Sequence, residues 1–224
     1  MQATQTVVFL HGMGESADVW DAQRAALPSG FDSSAVDVFG SGGGSDEVFE
    51  FSLDGAVETV LEQIERHGAD KVHLCGLSLG AMIALQLALD HPERVRSLTL
   101  AAGQVKPPRA LMAVQDAVFR LLPASVLEKQ GARKEVLLSV MRAVGRADFS
   151  GRLDAVSSPT LVLCGEKDRP NMPAARALAA GIRGAELRII PGAGHQSHMQ
   201  TPGAFAALLG EFLTRVRAQD ADSA

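Results

Sequence analysis

The feature that most constrains this fold is an apolar strand that runs through a G-x-S-x-G turn directly into a helix, between Val72 and Leu85. Turning a strand into a helix over so few residues forces the central residue, Ser78, into a strained backbone conformation. Gly76 and Gly80 flank it, and their missing side chains leave the clearance that the turn needs. The pattern predicts an exposed Ser78 hydroxyl beside the unpaired N–H groups of a helix N-terminus. A glycine-rich turn with a solvated serine is the alternative.

Strand-like and helix-like segments alternate along most of the chain. Short apolar or β-branched runs predict strands at residues 6–10, 34–38, 72–75, 95–101, 160–164 and 185–190. Apolar stripes predict helices at residues 17–27, 53–67, 79–89, 173–181 and 202–216, with Ser16 and Ser52 as N-caps of the first two. This alternation predicts an α/β fold, a mostly parallel sheet covered by helices on both faces. The polar tail at 217–224 is expected to fray.

The alternation stops at about residues 104–150, where two helical segments, 110–122 and 125–144, take its place. Their apolar stripes have no evident sheet to cover. We therefore expect a short helical lid inserted into a single domain of residues 1–224. The lid residues expected to line a substrate pocket are Leu111, Met112, Phe119 and Met141. Additional core helices are the alternative interpretation.

Candidate partners for the serine follow two later strands. A serine hydroxyl needs a base, and a histidine base needs an acceptor that holds its tautomer. Such groups gather at the carboxyl ends of parallel strands. One strand runs into Glu166 and Asp168, and the next runs into His195 and, three residues later, His198. The residues alone leave both choices open.

Several motifs together resemble the α/β-hydrolase fold superfamily over nearly the whole chain. They are HGMGE at 11–15, Asp37-x-x-Gly40-x-Gly42, GLSLG at 76–80, GEKD at 165–168 and AGH at 193–195. The segments GLSLGAMIAL and DHPERVRSLTLAAG are most similar to small carboxylesterases and 3-oxoadipate enol-lactonases. The chain departs from that pattern in its shorter length, in an extra glycine in the loop at 40–45, and in Ala81, where close relatives often have a second glycine.

The resemblance implies a role for each matching position. Ser78 corresponds to the nucleophile, His195 to the base, and Asp168 to the residue that orients His195. The backbone N–H groups of Met13 and Leu79 correspond to the oxyanion hole. Asp168 is preferred over Glu166 because it matches the family pattern. His195 is preferred over His198 because it directly follows the turn after the last strand.

Composition argues against several other classes of protein. A net charge of −5 disfavours nucleic acid or an anionic membrane as the partner. Residues 1–10 have no basic region and only a short apolar run, so a cytoplasmic protein without a membrane span is expected. Cys75 and Cys164 are expected to be reduced core thiols. No ligand spacing for a metal and no phosphate-binding loop is evident, so we expect no cofactor and no metal. The oligomeric state stays open.

The leading hypothesis is a serine hydrolase that cleaves a small carboxylic ester or lactone through an acyl-enzyme on Ser78. A cofactor-free C–C or thioester hydrolase on the same triad is the second. A non-catalytic ligand-binding protein of this fold is the third. Such proteins often lose a triad residue, whereas Ser78, Asp168 and His195 are all present here.

Overall fold

The structure is a computed structural model that describes residues 4–39, 50–107 and 134–222. Six strands lie in these ranges: β1 Gln5–Leu10, β2 Phe31–Val36, β3 Val72–Leu77, β4 Val95–Ala101, β5 Thr160–Gly165 and β6 Glu186–Ile190. The α-helices of these ranges are α1 Asp21–Ala25, α2 Leu53–Arg66, α3 Leu79–Asp90, α4 Lys134–Arg146, α5 Met172–Gly181, α6 Ser197–Gln200 and α7 Pro202–Asp222. Short 3₁₀ turns lie at Ala17–Trp20, Pro92–Arg94 and Leu153–Ala155.

The strands form one parallel sheet in the order β2-β1-β3-β4-β5-β6. β3 pairs with β1 on one side and β4 on the other, and every residue of β3 is buried. The predicted α/β fold with a mostly parallel sheet is therefore confirmed. Because α3 begins directly after β3, the turn that carries Ser78 lies at the centre of the sheet's carboxyl edge.

The hydrophobic core lies on both faces of the sheet, as the alternation of side chains along β1 shows. Val8 and Leu10 pack into one cluster with α2, α3 and α5. Val7 and Phe9 point the other way and pack with Trp20 and with α7. Buried apolar surface contributes about 25 cal/mol per Å², so these layers are the main source of the fold's stability.

Three local predictions are wrong at their boundaries. The helix predicted at 17–27 is a 3₁₀ turn followed by the short α1, and Ser16 makes no side-chain cap bond. The strand predicted at 34–38 is Phe31–Val36, because pairing with β1 sets its register. The tail does not fray at 217, since α7 continues to Asp222 and Arg96 holds Asp220 at 2.6 Å. The predicted cap of α2 is confirmed: Ser52 Oγ accepts from the N–H of Gly55 at 3.0 Å.

The predicted lid lies largely outside the described residues. Leu111, Met112 and Phe119 all do, so their pocket role stays a prediction. Residues 134–144 of the second predicted segment lie in α4, where Val140 and Met141 are buried. Within the described ranges, the helices are all too short or too polar to span a membrane. Cys75 and Cys164 are buried free thiols.

Candidate active site

The turn at Ser78 has the strained geometry that its sequence predicts. The Ser78 backbone has φ 53° and ψ −109°, a conformation that side-chain-bearing residues rarely adopt. Neighbouring backbone leaves room only for glycine on either side. A Cβ on Gly76 would lie 2.3 Å from the carbonyl oxygen of Gly80, and a Cβ on Gly80 would lie 2.1 Å from that of Leu10. Ser78 is partly exposed between the buried Leu77 and Leu79, and it lines a cavity.

Asp168 follows the end of β5 and His195 follows the end of β6, so both lie beyond β4 along the sheet's edge from Ser78. His195 Nδ1 lies 2.9 Å from Asp168 Oδ2. The Asp168 side chain is 3% exposed and the His195 side chain 44% exposed, so a buried carboxylate holds a ring that solvent and ligands reach. Contact through Nδ1 leaves Nε2 as the ring nitrogen available for proton transfer.

One cavity of about 390 Å³ brings the predicted site residues together. Ser78, Asp168 and His195 line it, and so do Met13 and Leu79. Of the predicted lid residues, Met141 lies on its wall, and further apolar wall is supplied by Met82, Pro107, Val140 and Val144. Within the described chain, the Ser78 hydroxyl makes no hydrogen bond to His195; such contacts often tighten only when substrate binds.

Two residues of the cavity wall, Asn171 and Gln104, were not predicted from the sequence. The side-chain nitrogen of Asn171 lies 2.8 and 3.0 Å from the two carboxylate oxygens of Asp168, and 3.0 Å from His195 Nδ1. Gln104 in turn donates to the side-chain oxygen of Asn171. Gln104 comes shortly after β4. A polar residue at the carboxyl end of a parallel strand is a sequence signal that could have marked it as a site residue. Asn171 lies in the loop before α5 and had no comparable signal.

Glu166 and His198, the alternatives to Asp168 and His195, do not line the described cavity wall. Glu166 Oε2 accepts from the backbone N–H of Gly192 at 2.8 Å and so supports the loop before His195. His198 is buried against Trp20, with ring centroids 4.6 Å apart. Burial lowers the pKa of His198, and the nearby charge of Glu15 opposes that shift.

The described wall of the cavity has serine, histidine and carboxylate groups but no metal-binding cluster. Across the described ranges, no group of three or more histidine, cysteine or acidic side chains is placed to hold a metal ion. A wider groove of about 670 Å³ between α1 and α7 is lined mostly by small residues, and its lining within the described ranges includes no serine, cysteine or histidine. Of these two cavities, the one at Ser78 has the groups for nucleophilic chemistry.

Comparison with known proteins gives consistent results. Residues 5–130 match the family described as the alpha/beta hydrolase fold. RutD of Klebsiella pneumoniae (strain 342), named as a carbamate hydrolase, is 29% identical over 91% of this chain and 89% of its own length. A pimeloyl-[acyl-carrier protein] methyl ester esterase of Neisseria meningitidis serogroup A is also 29% identical, over 96% of this chain and 78% of its own.

A solved structure gives the same architecture. The enol-lactonase of Burkholderia xenovorans LB400 superposes with a TM-score of 0.77 over 96% of this chain and 92% of its own. Its sequence is 24% identical, so this likeness establishes a shared fold.

Proposed function

The chain belongs to the α/β-hydrolase fold family and is a hydrolase, and from that premise we propose that it cleaves a small carboxylic ester or lactone through an acyl-enzyme on Ser78. The observation that carries the proposal is the strained Ser78 turn opening into the same cavity as the His195–Asp168 pair. A non-glycine residue held at positive φ costs of order 1–3 kcal/mol and persists where the surroundings enforce it.

The proposed reaction begins with attack by Ser78 Oγ on the carbonyl carbon of the substrate. His195 Nε2 takes the hydroxyl proton, and the carboxylate of Asp168 stabilises the resulting imidazolium through Nδ1. The carbonyl oxygen becomes an oxyanion that accepts hydrogen bonds from the backbone N–H groups of Met13 and Leu79. Each such donor typically contributes about 10²–10³ in rate.

The tetrahedral intermediate then collapses to an ester between the acyl group and Ser78. The C–O bond to the leaving alcohol breaks, and His195 returns its proton to that oxygen. Water replaces the alcohol, gives a proton to His195 and attacks the acyl carbon. A second collapse breaks the bond between the acyl carbon and Ser78 Oγ, His195 returns its proton to that oxygen, and the carboxylic acid is released. In a lactone the leaving alcohol stays attached to the acyl group.

The cavity wall supports a substrate of modest size with an apolar part. Side chains of Met82, Val140, Met141 and Val144 supply apolar surface. Polar groups are concentrated at Gln104 and Asn171 beside the His195–Asp168 pair. A methyl ester esterase among the relatives fits the ester class.

Labelling with a small organophosphonate tests this function. Phosphonates react with activated serines, so intact mass and peptide mapping of the wild-type protein should show one adduct on Ser78. Ser78→Ala should not react, and His195→Ala should react far more slowly while keeping the same circular dichroism. The rates at which the wild-type protein hydrolyses p-nitrophenyl esters of graded chain length would then be compared with its rates on lactones. A folded protein with neither adduct nor turnover would refute the proposal.

A further inference from the structure

The carboxylate of Glu15 contacts two segments of the cavity wall that lie far apart in the sequence. Its Oε2 accepts from the backbone N–H of Gly12 at 2.8 Å. Its Oε1 accepts from the side-chain nitrogen of Gln196, also at 2.8 Å. Gly12 directly precedes Met13, and Gln196 directly follows His195. One side chain therefore joins the loop of the proposed oxyanion donor to the loop of the proposed base.

Glu15 also acts on the peptide unit between Gly12 and Met13. The carbonyl oxygen of Gly12 accepts from the backbone N–H of Glu15 at 3.3 Å, and His11 Nδ1 lies 2.8 Å from the same oxygen. In a trans peptide the N–H points opposite to the C=O. Fixing the carbonyl of Gly12 therefore fixes the direction of the N–H of Met13, which lies on the cavity wall.

The loop on the other side has no regular secondary structure to hold it. Residues 191–196 connect β6 to α6, and the His195 side chain is 44% exposed. Side chains hold two N–H groups of this loop: Glu166 accepts from Gly192 at 2.8 Å and Gln200 accepts from Gly194 at 2.6 Å. The Glu15–Gln196 contact adds a link across to the oxyanion side.

We propose that Glu15 and Gln196 are a pair of positioning residues that hold the N–H of Met13 and the imidazole of His195 in register across the cavity. The inference rests on the proposed function. Neither side chain touches the reacting atoms. The pair acts because proton transfer and oxyanion stabilisation must act on one substrate carbonyl at once, and small displacements of either group slow the reaction.

Because Gln196 donates and Glu15 accepts, substitutions at the two positions should have unequal effects on kcat. Gln196→Glu places two carboxylates face to face, so the loops separate and kcat should fall about tenfold. Glu15→Gln keeps an acceptor for Gly12, and rotation of the Gln196 carboxamide restores the second bond, so kcat should fall about threefold or less. In the double variant Glu15→Gln/Gln196→Glu the donor and acceptor are exchanged, and kcat should return to within about threefold of wild type.

The experiment measures kcat and KM on the best p-nitrophenyl ester together with the second-order rate constant for phosphonate labelling of Ser78. Asp18→Asn is the matched control, because it also removes a carboxylate from this segment. The Asp18 carboxylate accepts a hydrogen bond from the Ser16 hydroxyl and does not line the cavity. Thermal unfolding of every variant is recorded. The expected pattern is a fall in kcat with KM nearly unchanged in Gln196→Glu, rescue in the double variant, and wild-type values in the control.

Two outcomes overturn the inference. Gln196→Glu with wild-type kcat would show that the contact does not position the site. A double variant as slow as Gln196→Glu would show that the exchange of donor and acceptor is not what matters. Failure of the underlying function has a different signature, because the wild-type protein itself would then show no labelling and no turnover.

Discussion

The side-chain nitrogen of Asn171 lies 2.8 and 3.0 Å from the two oxygens of Asp168, the carboxylate that also contacts His195 at 2.9 Å. Asn171 thus shares an acceptor with the imidazole and fixes the rotation of the carboxylate. Gln104 contacts the oxygen of the same carboxamide, which sets the direction in which its nitrogen points. The orientation of His195 therefore depends on a chain of three side chains, in which Gln104 contacts Asn171, and Asn171 contacts Asp168.

Replacing Asn171 with leucine should lower kcat/KM about tenfold. The shape of the side chain is nearly kept, but Asp168 loses a donor of a kind that typically contributes about 1.5–3 kcal/mol when the acceptor is charged. Steady-state kinetics on a p-nitrophenyl ester measures the loss, and thermal unfolding shows whether the fold is intact. Asn171→Asp should be slower still, because it sets a second carboxylate against Asp168. An unchanged rate in Asn171→Leu would show that Asp168 needs no such support.

Asp168→Asn should reduce kcat by on the order of 10³–10⁴, because an amide facing Nδ1 favours the wrong tautomer of His195. Glu166→Gln is the matched control. Its side-chain oxygen still accepts from the N–H of Gly192, so the loop stays supported and the loss should be within about threefold. Single-turnover rates of acylation measured for both proteins decide the assignment. The opposite order of effects would exchange the roles of Asp168 and Glu166.

The carbonyl oxygen of Leu10 makes Gly80 irreplaceable by alanine. Alanine is ordinarily favoured over glycine in a helix by about 1 kcal/mol, but here its Cβ would lie 2.1 Å from that oxygen and 2.8 Å from that of His11. Because α3 must move away from β1, we expect the free energy of unfolding to fall by about 3 kcal/mol.

Urea unfolding tests this against Gly203→Ala in the first turn of α7, where a Cβ would meet no atom within 4 Å. That control should raise the free energy of unfolding by about 0.5–1 kcal/mol. A stabilised Gly80→Ala would mean that α3 and β1 are not held together as tightly as the turn at Ser78 requires.

The sequence predicted the parts of the molecule that depend on neighbours in the chain. The Ser78 turn, the buried strand before it and the cap at Ser52 each rest on a local pattern, and the structure has all of these elements. Parallel strands gather their carboxyl ends at one edge, so Asp168 and His195 were also expected to lie near each other.

Other features depend on contacts between distant residues, and no local pattern in the sequence shows which residues make contact. Gln104 meets Asn171 across 67 positions, and Gln196 meets Glu15 across 181. The end of α7 is held by the ion pair of Asp220 with Arg96, 124 positions away. Composition marked this tail as polar and therefore as fraying, because nothing in its own sequence shows the partner.

Stability should decline on acidification because His73 is buried in β3. Burial, with a smaller contribution from the charge of Arg96, lowers the pKa of His73 to about 3, while Asp220 acts in the opposite direction. Its ring contacts Ser97 Oγ at 2.7 Å and Gln5 Oε1 at 3.1 Å. The folded pKa lies below the unfolded value of 6.5, so the unfolded chain binds more protons between those values. The stability contribution is therefore fully present above pH 6.5 and is lost as the pH falls toward 3.

Urea unfolding at pH 7.5 and pH 5 should show a loss of about 2 kcal/mol from His73, following the slope of about 1.4 kcal/mol per pH unit. His73→Gln should be less stable at pH 7.5, because packing against Phe31 changes, but should lose about 2 kcal/mol less than wild type between the two pH values. His67→Gln is the control, since the exposed His67 lies outside the core, and it should retain the wild-type dependence. A His73→Gln protein that keeps the full loss would place the acid sensitivity elsewhere, with the buried His198 as the next residue to substitute.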